Sequence, residues 1–176
     1  IAPGYIVTTY KEPIYAFIQN NEWLVAGIMF LIALAQGLPN LVLFGPLLIL
    51  FIALGVLFLF AGGSFPLLLA ASAAGCFVGD LISYHLGRKH AFNLHGLWSL
   101  DWHPRLVRRT QAYVRKLGAW SVLWSKLMGA RRPLVPLGAG ANALPLASFV
   151  PMSALSSLVW ASVFLSLRHI LGLFGI

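Results

Sequence analysis

The sequence predicts an all-α polytopic membrane protein. Three observations carry that expectation. Of 176 residues, 60% are hydrophobic and only 9% are charged, whereas a soluble domain carries about 25% charged residues. The mean hydropathy is +0.87. From Trp23 to Phe77 there is no charged residue at all, and about 20 residues suffice to cross hydrocarbon once. The chain must therefore fold back on itself within that run. An unusually large soluble core does not explain this composition, because a domain of this size still exposes much of its surface.

The elements follow in order, as one transmembrane domain over 1–176. Residues 1–22 read as an interfacial N-terminal segment, in which Tyr10, Ile14, Phe17 and Ile18 share one helical face. It lacks a basic stretch followed by an apolar run, so no cleavable signal is expected there. Residues 23–62 hold an apolar helix from Trp23 to Gln36, a broken piece over 38–48, and a second apolar helix to Phe60. Gly37-Leu38-Pro39-Asn40 and Gly45-Pro46 are the breakpoints. Gly62-Gly63-Ser64-Phe65-Pro66 reads as a turn. A span over 66–87 follows, ending at Gly87-Arg88-Lys89, a helix stop with interfacial cations.

Residues 88–118 form the one long polar stretch. Arg88, Lys89, Arg105, Arg108, Arg109, Arg115 and Lys116 face a single acid, Asp101. Pro104 suits a helix's first turn and Gly118 its stop. A cytoplasmic loop lying on anionic inner-leaflet lipids accounts for this charge. Residues 119–145 form a second Gly/Pro-interrupted segment, and 147–170 a closing transmembrane helix with Arg168 and His169 snorkelling at its end.

Charge and cysteine usage exclude several classes. The net charge is +8, but no aromatic-interleaved basic sheet or recognition helix accompanies it, so no nucleic-acid partner is expected. Cys76 is the sole cysteine, which rules out an intrachain disulfide and a CxxC metal motif. His85, His90 and His95 recur every five residues, unlike a zinc pattern. No metal or cofactor is expected.

Two interrupted segments, GLPNLVLFGPLL and MGARRPLVPLGAG, occupy corresponding places in the two halves. An interrupted helix frees backbone groups that lipid cannot satisfy, so each break must face protein or a wet cavity. This pairing is the mark of a transporter-like site near the midplane. The second segment carries Lys126, Arg131 and Arg132. A charge at the bilayer centre costs roughly 2.5–3.5 kcal/mol, so three exposed to lipid would cost on the order of 8–10 kcal/mol. Such a sum rivals the stability of a whole domain. Asp80, the sole acid between Glu22 and Asp101, is the internal partner. One acid leaves surplus positive charge, which suits an anion such as phosphate, gripped by the Arg fork and the Lys point charge.

These residues also carry a resemblance. GDLISYHLGR supplies Asp80, Tyr84, Gly87 and Arg88. KLMGARRPLVPLGAG supplies Gly129, Arg132, Pro136, Ala139 and Gly140, and SFVPMSALSSLVWA supplies Phe149 and Trp160. In this order they resemble the DedA family, also called SNARE-associated or VTT-domain membrane proteins, over roughly residues 23–170. The chain departs from the family pattern in four places. Lys126 stands for an arginine, Gln36 for a glutamate, Pro46-Leu47 for Pro-Gly, and Ser153 lies nearest the position of an asparagine.

The resemblance implies an inverted-repeat core with two re-entrant helical hairpins, in a bacterial inner membrane. It implies translocation of a phosphate-bearing lipid, undecaprenyl phosphate or a phospholipid, coupled to protons or other cations. Lys126, Arg131 and Arg132 would bind the headgroup and Asp80 would take the proton. Gln36 cannot titrate, which leaves passive scrambling as an alternative, beside transport of a small anion. An enzyme is not expected. Lys126 to Pro133 resembles part of the motif of phosphatidic-acid-phosphatase-type lipid phosphatases, but it is one residue short and the remaining elements are absent. Association into a homo-oligomer stays open.

Overall fold

The computed structural model describes residues 3–39, 41–90, 104–127 and 134–174. Their regular structure is helical throughout, in nine helices. Helix α1 (Pro3–Asn20) turns at Asn21 into α2 (Glu22–Gly37). Its Lys11–Asn20 portion meets α2 at 87°. Ile14 and Phe17 are exposed on α1, while Ile18 is buried in the core. The expected common face is thus split between surface and protein. Gln19 fastens α1 to the residue just past Leu41–Phe60, the third helix, its Nε2 donating to the Ala61 carbonyl at 2.7 Å.

Helix α2 ends at Gly37, as the first expected breakpoint requires. Helix α3 (Leu41–Phe60) then runs through Gly45-Pro46, where the sequence places a second break. Proline removes one N–H and one helical hydrogen bond. In a run this apolar the remaining backbone bonds cannot be traded for water, so the helix persists around the gap. Gly62, with φ of 84°, makes the turn that follows.

Helix α4 (Phe65–Lys89) is 25 residues long, about 37 Å at 1.5 Å per residue, and exceeds the roughly 30 Å of hydrocarbon. It extends past Gly87, the expected stop, so Arg88 and Lys89 form its last turn. Helix α5 (Pro104–Leu117) has the bounds that Pro104 and Gly118 foretell, Gly118 taking a φ of 57°. Two short helices follow, α6 (Trp120–Ser125) and α7 (Leu134–Ala141), then α8 (Leu146–Leu165) and α9 (Leu167–Leu173). By length and apolarity α4 and α8 can each cross a bilayer, and the bent α1–α2 pair makes a third candidate.

Helix α4 is the axis of the fold. Lipid offers no hydrophobic drive between apolar helices, so close backbone packing takes over. Against α2, a Cβ on Gly37 would lie 2.8 Å from the Gly79 backbone. Against α7, a Cβ on Gly140 would overlap the Tyr84 carbonyl, and one on Gly87 the Leu137 carbonyl. Phe51, Phe58, Met29 and Trp160 fill the main core beside these crossings, with the Phe51 and Trp160 rings 4.8 Å apart. A smaller cluster joins Tyr84, Val114, Val135 and Phe149.

Candidate functional site

Between the two glycine crossings of α4 lies Asp80, completely buried. Gly79, one residue earlier, brings α2 into backbone contact. Asp80 itself points toward the segment after α6 and toward α8. Lys126, 4% exposed, closes α6 and places its Nζ 2.5 Å from Asp80 Oδ2. Ser153 Oγ donates to the same oxygen at 2.9 Å. Lys126 Nζ also lies 3.4 Å from Ser157 Oγ. Ser153 and Ser157 are four residues apart on α8, so one face of that helix presents both hydroxyls to the ion pair. The other carboxylate oxygen, Asp80 Oδ1, is buried without a hydrogen-bond partner among the described residues.

The environment explains why the pair holds. Two charges in a low-dielectric interior need close contact and further hydrogen bonds to offset desolvation. Here a serine completes the carboxylate's shell on one oxygen and a second serine flanks the ammonium. Asp80, which the sequence offers as internal partner to Lys126, Arg131 and Arg132 together, meets Lys126.

Gln36 is also buried, with its Nε2 donating to the Leu47 carbonyl at 3.1 Å. It ties the end of α2 to α3 across the break. One turn after Asp80, Ser83 Oγ donates to the Gly37 carbonyl at 2.5 Å. That bond caps a carbonyl left over at the end of α2.

Tyr84, Gly87 and Arg88 do structural work at the α4–α7 contact. The Tyr84 hydroxyl donates to the Leu144 carbonyl at 2.5 Å and accepts from Arg88 Nη1 at 2.9 Å. Its ring stacks on Phe149 at 4.6 Å. Pro136 sits in the first turn of α7, where its missing N–H costs nothing, and Gly140 lets α4 approach. Gly129, Arg131 and Arg132 lie outside the described residues, as do His95, Asp101 and His103.

Ser83 and Ser157 escape sequence reasoning, and Ser153 enters it only as a departure. Their one signal is polarity inside apolar spans, the run Ser153-Ala154-Leu155-Ser156-Ser157 above all. No group of three or more metal-ligating side chains occurs among the described residues.

The model of the VTT domain matches residues 45–169. The inner membrane protein YabI of Escherichia coli is 31% identical over 130 residues, 74% of this chain and 51% of YabI. An uncharacterized membrane protein of Buchnera aphidicola is 28% identical over 139 residues, 77% of this chain and 54% of that protein. The inner membrane protein YohD of E. coli is 28% identical over 105 residues, 60% of this chain and 54% of YohD. The chain spans about half the length of each of these relatives. No solved structure matches it. Apolar helices of spanning length around a buried ion pair, together with a family match over residues 45–169, make this an integral membrane protein, and the chain belongs to the VTT-domain, or DedA, family.

Proposed function

We propose that this chain carries a phosphate-bearing lipid, undecaprenyl phosphate or a phospholipid, across a bacterial inner membrane, and that it does so as a transporter and not as an enzyme. One observation supports the transport reading above the rest: an acid and a base are buried together at the crossing of membrane helices. Ionisable groups within spans are expensive and mark substrate or proton pathways. The lipid follows from the family resemblance and from the cations of residues 126–132.

In this scheme the two interrupted segments form re-entrant hairpins of an inverted repeat. Lys126, Arg131 and Arg132 hold the headgroup phosphate while the lipid tail stays in hydrocarbon. Asp80 competes with the phosphate for Lys126, and a proton on Asp80 releases the ammonium. Residues 88–118 face the cytoplasm. Passive scrambling is the second reading. It is favoured by Gln36, an amide that cannot titrate and already bonds the Leu47 carbonyl.

The test is translocation in proteoliposomes of a labelled polyprenyl phosphate against a labelled neutral lipid, with and without a pH gradient. The phosphate lipid should cross faster, and Arg132→Ala should abolish the difference while membrane insertion is kept. Equal rates for both lipids, or unchanged transport by the variant, would overturn the proposal. Acceleration by the gradient marks coupling to protons, and indifference to it marks scrambling.

A further inference from the structure

Helix α5 divides its surface into two faces. Val107, Thr110 and Val114 are buried, spaced i, i+3 and i+7 as one helical stripe. Val107 packs with Leu134 and Leu137, and Val114 with Tyr84 and Val135. The apolar stripe is therefore spent on α7 and the end of α4. It is not free to dip into lipid, as a helix lying loose on a bilayer would require. The opposite face carries Arg105, Arg108, Arg109, Arg115 and Lys116, all exposed. No acid lies on α5. The acids of the described residues are Glu12, Glu22 and Asp80, and the last is buried against Lys126.

Depth comes from a separate observation. Arg88 and Lys89 form the exposed last turn of the spanning helix α4, and Leu86 just before it packs against the cluster of Val107, Leu134 and Leu137. Trp120 and Trp124, 57% and 53% exposed, stand one turn apart on α6 immediately beyond α5. Exposed tryptophans beside cations at the end of a span are the pattern of a membrane interface. The arginine face thus stands level with lipid headgroups.

We propose that this face of α5 is a docking surface for the headgroups of anionic phospholipids in the leaflet where α4 ends. The occupant is a lipid and not a nucleic acid or free phosphate, because the surface is fixed at interface depth by α4 and the two tryptophans. Arginine forks grip phosphate oxygens in pairs, and several lie within reach of adjacent headgroups. Because α5 is held on α7 through Val107 and Val114, headgroups bound here brace the helix that leads out of the 128–133 segment.

Native mass spectrometry of the purified chain, in detergent with equimolar phosphatidylglycerol and phosphatidylcholine, tests this directly. The retained lipid should favour phosphatidylglycerol about fivefold for a headgroup held by one cation. The triple substitution R105Q/R108Q/R109Q, which leaves Arg115 and Lys116 on the face, should clearly lower that preference, and R105K/R108K/R109K should keep most of it. An equal ratio in the wild type, or a glutamine variant that keeps the wild-type preference, overturns the proposal. A lysine variant that loses the preference along with the glutamine one overturns the electrostatic account. All three proteins keep Lys126, Arg131 and Arg132 of the proposed transport site, so the difference between wild type and variant reports on α5 alone.

Discussion

Replacing Lys126 by Met removes the charge and keeps most of the side-chain volume. The substitution leaves Asp80 completely buried, with Oδ2 retaining only the Ser153 hydroxyl and Oδ1 holding no partner among the described residues. Breaking a buried ion pair from one side costs about 3–5 kcal/mol, because the surviving charge is uncompensated. A domain of ordinary stability has about 5–15 kcal/mol in total, so the loss is a large share of it. At about 2–4 °C per kcal/mol for a chain of this size, Lys126→Met should lower the melting temperature by about 6–20 °C. The assay is thermal unfolding of the purified chain in one detergent, followed by intrinsic fluorescence. Asp80→Leu combined with Lys126→Met supplies the control. Apolar residues of similar volume in place of a buried pair are often neutral or stabilising, so the double variant should recover most of the loss. A Lys126→Met protein as stable as the wild type, or a double variant no better than the single, would refute the pairing.

Two further outcomes test the frame around the pair. Tyr84→Phe deletes a hydroxyl that donates to the Leu144 carbonyl and accepts from Arg88, and the same melting assay should register a loss of about 1–3 kcal/mol for the orphaned carbonyl. Gly140→Ala places a methyl group onto the Tyr84 carbonyl. Overpacking of this kind costs about 1–3 kcal/mol, and because α7 must shift from α4, limited proteolysis should cut faster near residues 141–145.

The sequence announces the spans and conceals the faces. Charge-free runs and Gly/Pro clusters locate α2, α4 and α8 to within a few residues. Pro104 and Gly118 bracket α5 because capping chemistry is local. The continuity of α3 through Gly45-Pro46 is not local. It depends on the absence of any competing partner for the backbone in an apolar surrounding. Which side of α4 meets α2 cannot be read either, since a helix apolar all round has no stripe to orient it. Gly37 finds Gly79, and Gly140 finds Tyr84, only in three dimensions. That Asp80 pairs with a cation of the 126–132 segment was legible as arithmetic, one acid among three cations, but the choice of Lys126, 46 residues away, was not. Its setting in the serines of α8 was not, because a serine in an apolar span usually bonds its own helix, as Ser156 does with the Ser153 carbonyl.

Stability alone is a poor reason for such a pair to exist, since packed apolar side chains would serve as well or better. The surrounding core supplies Phe51, Leu68, Met29 and Trp160 without difficulty. What the pair adds is a constraint on charge. If a phosphate engages the Lys126 ammonium, Asp80 is left as a buried carboxylate at a cost of several kcal/mol. That cost vanishes only if the carboxylate takes up a proton or another cation. Asp80 Oδ1 has no hydrogen-bond partner among the described residues, so the contacts of the carboxylate are all on Oδ2. In the proposed transport scheme, anion capture at Lys126 and neutralisation of Asp80 are therefore coupled through the electrostatics of one buried pair.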